Sequence, residues 1–269
     1  MGRCIYLRKG EVHTVPQLSY LMFTSPESFT LSVHNATKNW DGVLEFSTDT
    51  TNWAEWNGAT TLSSVNNKLY LRGINNTKIT GIYDYRWALT GSNISCDGNI
   101  ENLLNYQTVL NGQHPTMSAS CYESMFHSCT SLITAPELPA TTLVNSCYND
   151  MFYNCTSLTT IPELPATTLA ELCYHGMFTN CTSLITVPKL PATKLVDNCY
   201  EHMFWGCSKI KLSATKTGTY NQEYRIPASG SGIDAYATLA DMFTSTGGTF
   251  AGTPEINTTY YLDSSNHIV

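Results

Sequence analysis

The feature that most constrains this chain is an internal period of 26 residues. Cys121, Cys147, Cys173 and Cys199 stand 26 apart, and so do Cys129, Cys155, Cys181 and Cys207. The units beginning at Cys121 and Cys147 share 17 of 26 positions, around the core C-Y-x-x-M-F-x-x-C-T-S-L-x-T-x-P-x-L-P-A-T-x-L. A unit this short cannot bury its own apolar face, so successive units are expected to stack. A fourth unit keeps Cys199, Tyr200, Met203, Phe204 and Cys207, then departs at Lys209-Ile210-Lys211-Leu212. A vestige follows at Leu239, Asp241, Met242 and Phe243, with Met203 and Met242 separated by 39 residues.

Within a unit, Cys121, Tyr122, Met125, Phe126 and Cys129 fall at i, i+1, i+4, i+5 and i+8, which reads as the buried face of a two-turn helix. The stretch after it, Leu132 to Pro139 and its copies, is apolar but broken by prolines. Proline cannot donate to a central ladder, so any strand here must be very short and end near Pro136, Pro162 and Pro188. One short strand plus one short helix per unit, with leucines at fixed offsets, predicts a leucine-rich repeat solenoid.

Ahead of the repeats, Phe29 to Val33, Val43 to Ser47, Trp53 to Trp56, Thr60 to Leu62 and Lys68 to Gly73 are short β-prone runs separated by Asn, Asp and Gly, the pattern of an antiparallel sandwich. The stretch Gly98 to Leu104 is expected to be a helix that covers the first unit. The fold class expected is therefore mixed α+β. A β-sandwich domain would occupy residues 1–95, a solenoid cap 96–120, leucine-rich repeats 121–212, and a divergent repeat with its cap 213–269.

The segments of form M-F-x-x-C-T-S-L-x-x-I-P-x-L-P, as in Met151 to Pro165, resemble the BspA-like, Treponema-type leucine-rich repeats of gut and oral bacterial surface proteins and their phages. The resemblance covers roughly Cys121 to Leu212. The stretch from Tyr224-Arg225-Ile226-Pro227 through Asp241-Met242-Phe243 to Tyr260-Tyr261 resembles regions that follow such repeats in gut phage and prophage proteins. What the resemblance implies is ligand binding or adhesion without catalysis; it does not imply a particular ligand.

Composition excludes some partners. Fourteen Lys and Arg against 21 Asp and Glu give a formal charge of −7, and only 13% of residues are charged, where about 25% is usual. A basic nucleic-acid surface and a lysine-rich membrane patch are both excluded. Hydrophobic residues at 42% argue against disorder, and no apolar window is long enough to insert into a membrane. The N-terminal Met1 to Gly10 lacks the apolar run of a secretory signal, and Tyr6 stands where a myristoylation motif after Gly2 needs Ser or Thr, so neither export by signal nor lipidation is expected.

The two repeat cysteines of a unit lie eight residues apart, too far on a helix for a disulfide, and the spacing is not that of a zinc pair. Buried free thiols are the favoured reading over disulfides between neighbouring units and over metal. His175 and His202 lie near Cys173 and Cys199, but no histidine occupies those offsets in every unit, so no metal site is assigned. No nucleophile elbow, zincin or phosphate-loop motif occurs, so no catalytic residue, no cofactor and no enzyme activity is expected.

The positions that the repeat leaves free are the candidate binding residues. His127, Tyr153, Thr179 and Trp205 share one offset, and Glu123, Asn149, His175 and Glu201 another. The first set would form an exposed contact strip for sugar or protein. The function expected is that of a non-catalytic binding or structural protein, a phage virion component such as a head or tail decoration or receptor-binding part. A bacterial cell-surface or secreted adhesin is the alternative. Its partners would be other virion proteins or a host surface protein or glycan, with no nucleic acid and no membrane insertion, and self-association left open.

Overall fold

The structure, a computed structural model, describes residues 3–8, 11–16 and 20–269, with side chains from Tyr20 onward. Gly2, and with it the lipidation reading, lies outside the described residues, as do the side chains of Cys4 and His13. The N-terminal hairpin pairs β1 (Arg3–Arg8) with β2 (Glu11–Pro16).

The next eight strands are β3 (Leu21–Thr24), β4 (Thr30–Val33), β5 (Val43–Ser47), β6 (Ala54–Trp56), β7 (Leu62–Ser63), β8 (Lys68–Ile74), β9 (Trp87–Thr90) and β10 (Ile94–Asp97). The β-prone runs from Phe29 to Gly73 thus become strands within two residues of the expected bounds. They divide into two sheets. One runs β10-β3-β8-β5-β6 and takes a further strand, β11 (Leu132–Thr134), on its β10 edge; the other runs β7-β4-β9. Alternation places Phe23, Leu44, Trp56, Leu69 and Leu71 on one buried face and Leu31, Val33, Trp87 and Leu89 on the other. The faces meet ring to ring, with Trp56 edge-on to Trp87 at 5.7 Å and Phe23 at 6.4 Å from Trp87.

The expected helix at Gly98 to Leu104 forms four residues later, as α1 (Asn102–Leu110) with non-helical backbone at Asn105. The delay has a local cause: the Asn99 side-chain oxygen accepts the Glu101 N–H at 2.8 Å, an Asx turn that competes with helix. Leu103 and Leu104 are fully buried. Asn76 ties α1 to the sheet by donating to the carbonyls of Val43 and Leu103 while accepting the Gly42 N–H.

The expected mixed α+β class, with its leucine-rich repeat solenoid of short strand plus short helix, is overturned. Among the described residues strand accounts for 26% and helix for 5%, the strands arranged in several small sheets, and α1 is the only α-helix. No unit contains one. The segments expected to be helical are runs of tight turns with a left-handed residue at every fourth position: Ser120, Ser124 and Ser128, then Ser146, Asp150 and Asn154, then Leu172, Gly176 and Asn180, then Asn198, His202 and Gly206. A right-handed helix cannot pass through such residues. The apolar spacing explains the misreading. At about 100° per residue, a helix would leave Cys129 about 80° away from Cys121, whereas a four-residue period returns i, i+4 and i+8 to one line.

Hydrogen bonds in these segments alternate. The N–H groups of Glu123, Met125 and His127 close turns onto the carbonyls three residues back, while those of Tyr122, Ser124, Phe126 and Ser128 reach the carbonyls of Cys147, Asn149, Met151 and Tyr153. The same contacts recur between 148–154 and 173–179, and between 174–180 and 199–205. The buried rings lie face to face as a result. Phe126, Phe152, Phe178, Phe204 and Phe243 follow at 5.5 to 5.7 Å, and Tyr122, Tyr148, Tyr174 and Tyr200 at 5.6 to 5.8 Å. Strands between the turns are as short as the prolines require, β11 and β12 (Thr186–Val187) both ending before the proline.

The C-terminal part adds β13 (Lys211–Ser213), β14 (Tyr220–Arg225), β15 (Gly247–Gly248), β16 (Thr259–Asp263) and β17 (His267–Ile268). Four of these form a sheet in the order β14-β16-β13-β15, and β17 runs parallel to β12. Tyr224 sets its ring edge-on to Phe243 at 6.1 Å.

The nine cysteines with described side chains are free and buried. Cys155, Cys181 and Cys207 donate to the carbonyls of Phe126, Phe152 and Phe178 at 3.1, 3.2 and 3.0 Å. The thiol is small enough for the core and still satisfies a carbonyl. Burial pushes Cys129, Cys147, Cys199 and Cys207 up to about 12, so thiolate is scarce at neutral pH. These nine thiols should therefore resist a thiol reagent in the native state, and close to ten should react after unfolding without reductant. A count near zero after unfolding would mean disulfides.

Candidate functional site

Each group of four residues in the turns sends its first two side chains inward, and most of the other two lie at the edge, Ser124 and Thr179 being buried exceptions. Cys121, Tyr122, Met125 and Phe126 are fully buried, while Glu123, His127 and Ser128 reach solvent. The edge is where the variable positions collect.

The strip expected from the sequence is only partly assembled. His127 and Tyr153 stack at 4.6 Å with planes 8° apart, and Tyr83 closes the pair edge-on at 4.6 Å from His127. The Arg86 guanidinium covers the Tyr83 ring at 3.9 Å. Burial and the Arg86 charge push His127 down to about 4, so it is neutral at physiological pH. Thr179 does not belong to the surface. It is 1% exposed, and its hydroxyl donates to the His202 carbonyl at 2.7 Å. A short hydroxyl side chain turns inward to satisfy a backbone acceptor where a ring at the same offset projects outward. Trp205 is exposed, with its ring 6.1 Å from His202.

Beside this strip lies a group that the spacing alone did not assemble. His175 follows Asn149 and precedes Glu201 at one offset; Asp150, Gly176, His202 and Asp241 occupy the adjacent left-handed positions. His175 Nδ1 is 3.1 Å from Asn149 Oδ1 and 4.0 Å from Asp150 Oδ1, and its Nε2 is 3.7 Å from Glu201 Oε2. His202 Nε2 is 3.8 Å from Asp241 Oδ2, and the two imidazole centroids are 5.6 Å apart. Gly176 makes room, because a Cβ there would meet Asp150 Oδ1 at 2.1 Å. Burial, then the Glu123 charge, pushes Asp150 up to about 6, and burial lowers His175. The signal for this group was the offset shared by Glu123, Asn149, His175 and Glu201; what was missing was the turn geometry that sets His202 alongside it.

A third group surrounds the start of α1. Glu101 is 1% exposed, His114 Nδ1 lies 2.9 Å from both of its carboxyl oxygens, and the pair borders a cavity of about 270 Å³ with Met117, Thr141 and Thr142. Burial raises the Glu101 carboxyl against the opposing effect of His114. The contact ties residues 111–116 to the first turn of α1.

No family model, curated protein or solved structure matches this chain.

Proposed function

We propose that this chain is a non-catalytic binding and structural protein of a virion, which contacts a host surface protein or glycan through the exposed aromatic edge of its turns. The observation that supports this most directly is the pairing of stacked His127 and Tyr153 with Tyr83 at one end of the edge and exposed Trp205 at the other. Flat rings with one open face are the side chains that most often anchor protein contacts, and they also cover sugar rings. The rigid backing suits that role. The rings are carried by a backbone hydrogen-bonded from one unit to the next, so little ordering is needed on binding.

Binding of the labelled chain to an array of bacterial surface glycans and to intact gut bacteria tests the reading. Tyr153→Ala and Trp205→Ala should each weaken binding at least about tenfold, the loss typical of an aromatic anchor. Binding unchanged in both variants would reject this edge as the contact surface. Mass spectrometry of purified phage particles tests the location, where finding the chain on bacterial surfaces and absent from particles would overturn it.

A further inference from the structure

We propose that His175, Glu201 and His202 form a binding site for a divalent cation of the zinc class. This site borders the aromatic contact surface at Trp205, whose ring lies 6.1 Å from His202, but cation binding does not require that surface to hold a partner. One ligand atom from each of the three residues lies within 4.8 Å of the other two. Side chains at the same offset in successive units are brought within reach of one another, which places His175 beside Glu201; the left-handed backbone at His202 turns the third donor to the same spot.

The hydrogen-bond arrangement points to a cation. His175 Nδ1 faces Asn149 Oδ1 at 3.1 Å, an acceptor, so Nδ1 is the protonated nitrogen of the neutral ring and Nε2 then presents its lone pair. That lone pair faces a carboxylate oxygen of Glu201 at 3.7 Å. Two acceptors facing each other repel unless a positive centre, either a proton on the ring or a metal ion, sits between them, and burial, which lowers His175, disfavours the proton. Tetrahedral zinc with N and O ligands holds its donors about 3.3 Å apart, a small contraction from the distance found here. The Asn149 contact is also the outer support that metal-bound histidines use to fix tautomer and ring orientation.

The surroundings favour the same ion. Asp150 and Asp241 approach the two imidazoles at 4.0 and 3.8 Å, so three carboxylates gather around two rings. Glu201 is further held by the Asn198 side-chain amide. His175 and Glu201 are 25% and 20% exposed, enough for an ion to enter and little enough to limit competition from water. Two imidazoles and one carboxylate suit Zn²⁺, Co²⁺ or Ni²⁺, whereas Ca²⁺ and Mg²⁺ prefer oxygen alone. Asp241 or a water molecule would complete four-coordination.

The test uses the full chain with Co²⁺ and Zn²⁺ as probes. Titration should show one equivalent of Co²⁺ bound with the visible absorption of a tetrahedral nitrogen and oxygen site, displaced by Zn²⁺ but not by excess Ca²⁺. His175→Gln and His202→Asn should each weaken Co²⁺ at least tenfold, while His267→Gln leaves it unchanged. Asn tolerates the left-handed conformation at position 202, and circular dichroism checks that both variants fold. Zn²⁺ should raise the melting temperature of the parent chain and not that of the variants. The proposal is overturned by absence of saturable binding, by binding retained in both variants, by displacement with Ca²⁺, or by a thiolate-to-cobalt charge-transfer band showing that the cysteines are the ligands.

Discussion

Gly73→Ala should be among the most damaging single changes in this chain. A Cβ at that position would stand 1.5 Å from the Leu103 carbonyl oxygen and 2.3 Å from its carbon. These are backbone atoms in the first turn of α1 and cannot rotate away. The carbonyl is also fixed by Asn76, whose side-chain amide donates to it at 2.9 Å. Relief requires α1 to move off β8, which would uncover Leu103 and Leu104. The cost should reach about 3 kcal/mol or more, the upper range for overpacking in a closed core. Gly112→Ala is the control. Its φ is +72° with nothing within 4 Å of an added Cβ, so only the left-handed penalty of about 1–2 kcal/mol applies. Urea unfolding of both variants checks the contrast, and equal midpoints would show that α1 yields freely.

Phe178→Ala should cost about 3–5 kcal/mol, the range for removing a fully buried aromatic side chain. Phe178 is 0% exposed and stacks on Phe152 at 5.6 Å and on Phe204 at 5.7 Å, with planes within 4° and 9°. Its loss opens a hole in the middle of a column and removes two ring contacts of about 0.5–1.5 kcal/mol each. The backbone around it cannot close the gap, because the Phe178 N–H is held by the Met203 carbonyl and the Phe178 carbonyl accepts the Cys207 thiol. Phe243→Ala, at the end of the same column, keeps only Phe204 as a stacked partner. It should cost less, and a denaturant series in which Phe243→Ala is the worse variant would contradict the column as the stabilising element.

The residues that bury were legible in the sequence, because the reason they bury is local. Tyr122, Met125, Phe126 and their copies are apolar at a fixed spacing, and every one is at the core. Strands β4 to β8 were legible for the same reason: apolar alternation bounded by Asn, Asp and Gly is both the signal and the cause, whereas β1, β2 and β3 were not foreseen. The backbone that carries the buried rings was not. A spacing of i, i+1, i+4, i+5 and i+8 suits either a 3.6-residue helix or a four-residue turn, and the choice rests on Ser120, Ser124 and Ser128 taking positive φ. Serine seldom does so unaided. Its cost is offset by N–H groups that find carbonyls 25 residues further along the chain.

The candidate sites divide along the same line. Which positions vary between units was set by the sequence alone, and these include His127, Tyr153, Trp205, His175 and Glu201. Which of them meet was decided only by tertiary structure. Thr179 turns inward because the His202 carbonyl lies within 2.7 Å of its hydroxyl, and His202 joins His175 and Glu201 because a left-handed turn places it there. Periodicity reports the average environment of an offset. Contact across units depends on the sign of one dihedral angle, and that is settled by hydrogen bonds between segments distant in the chain.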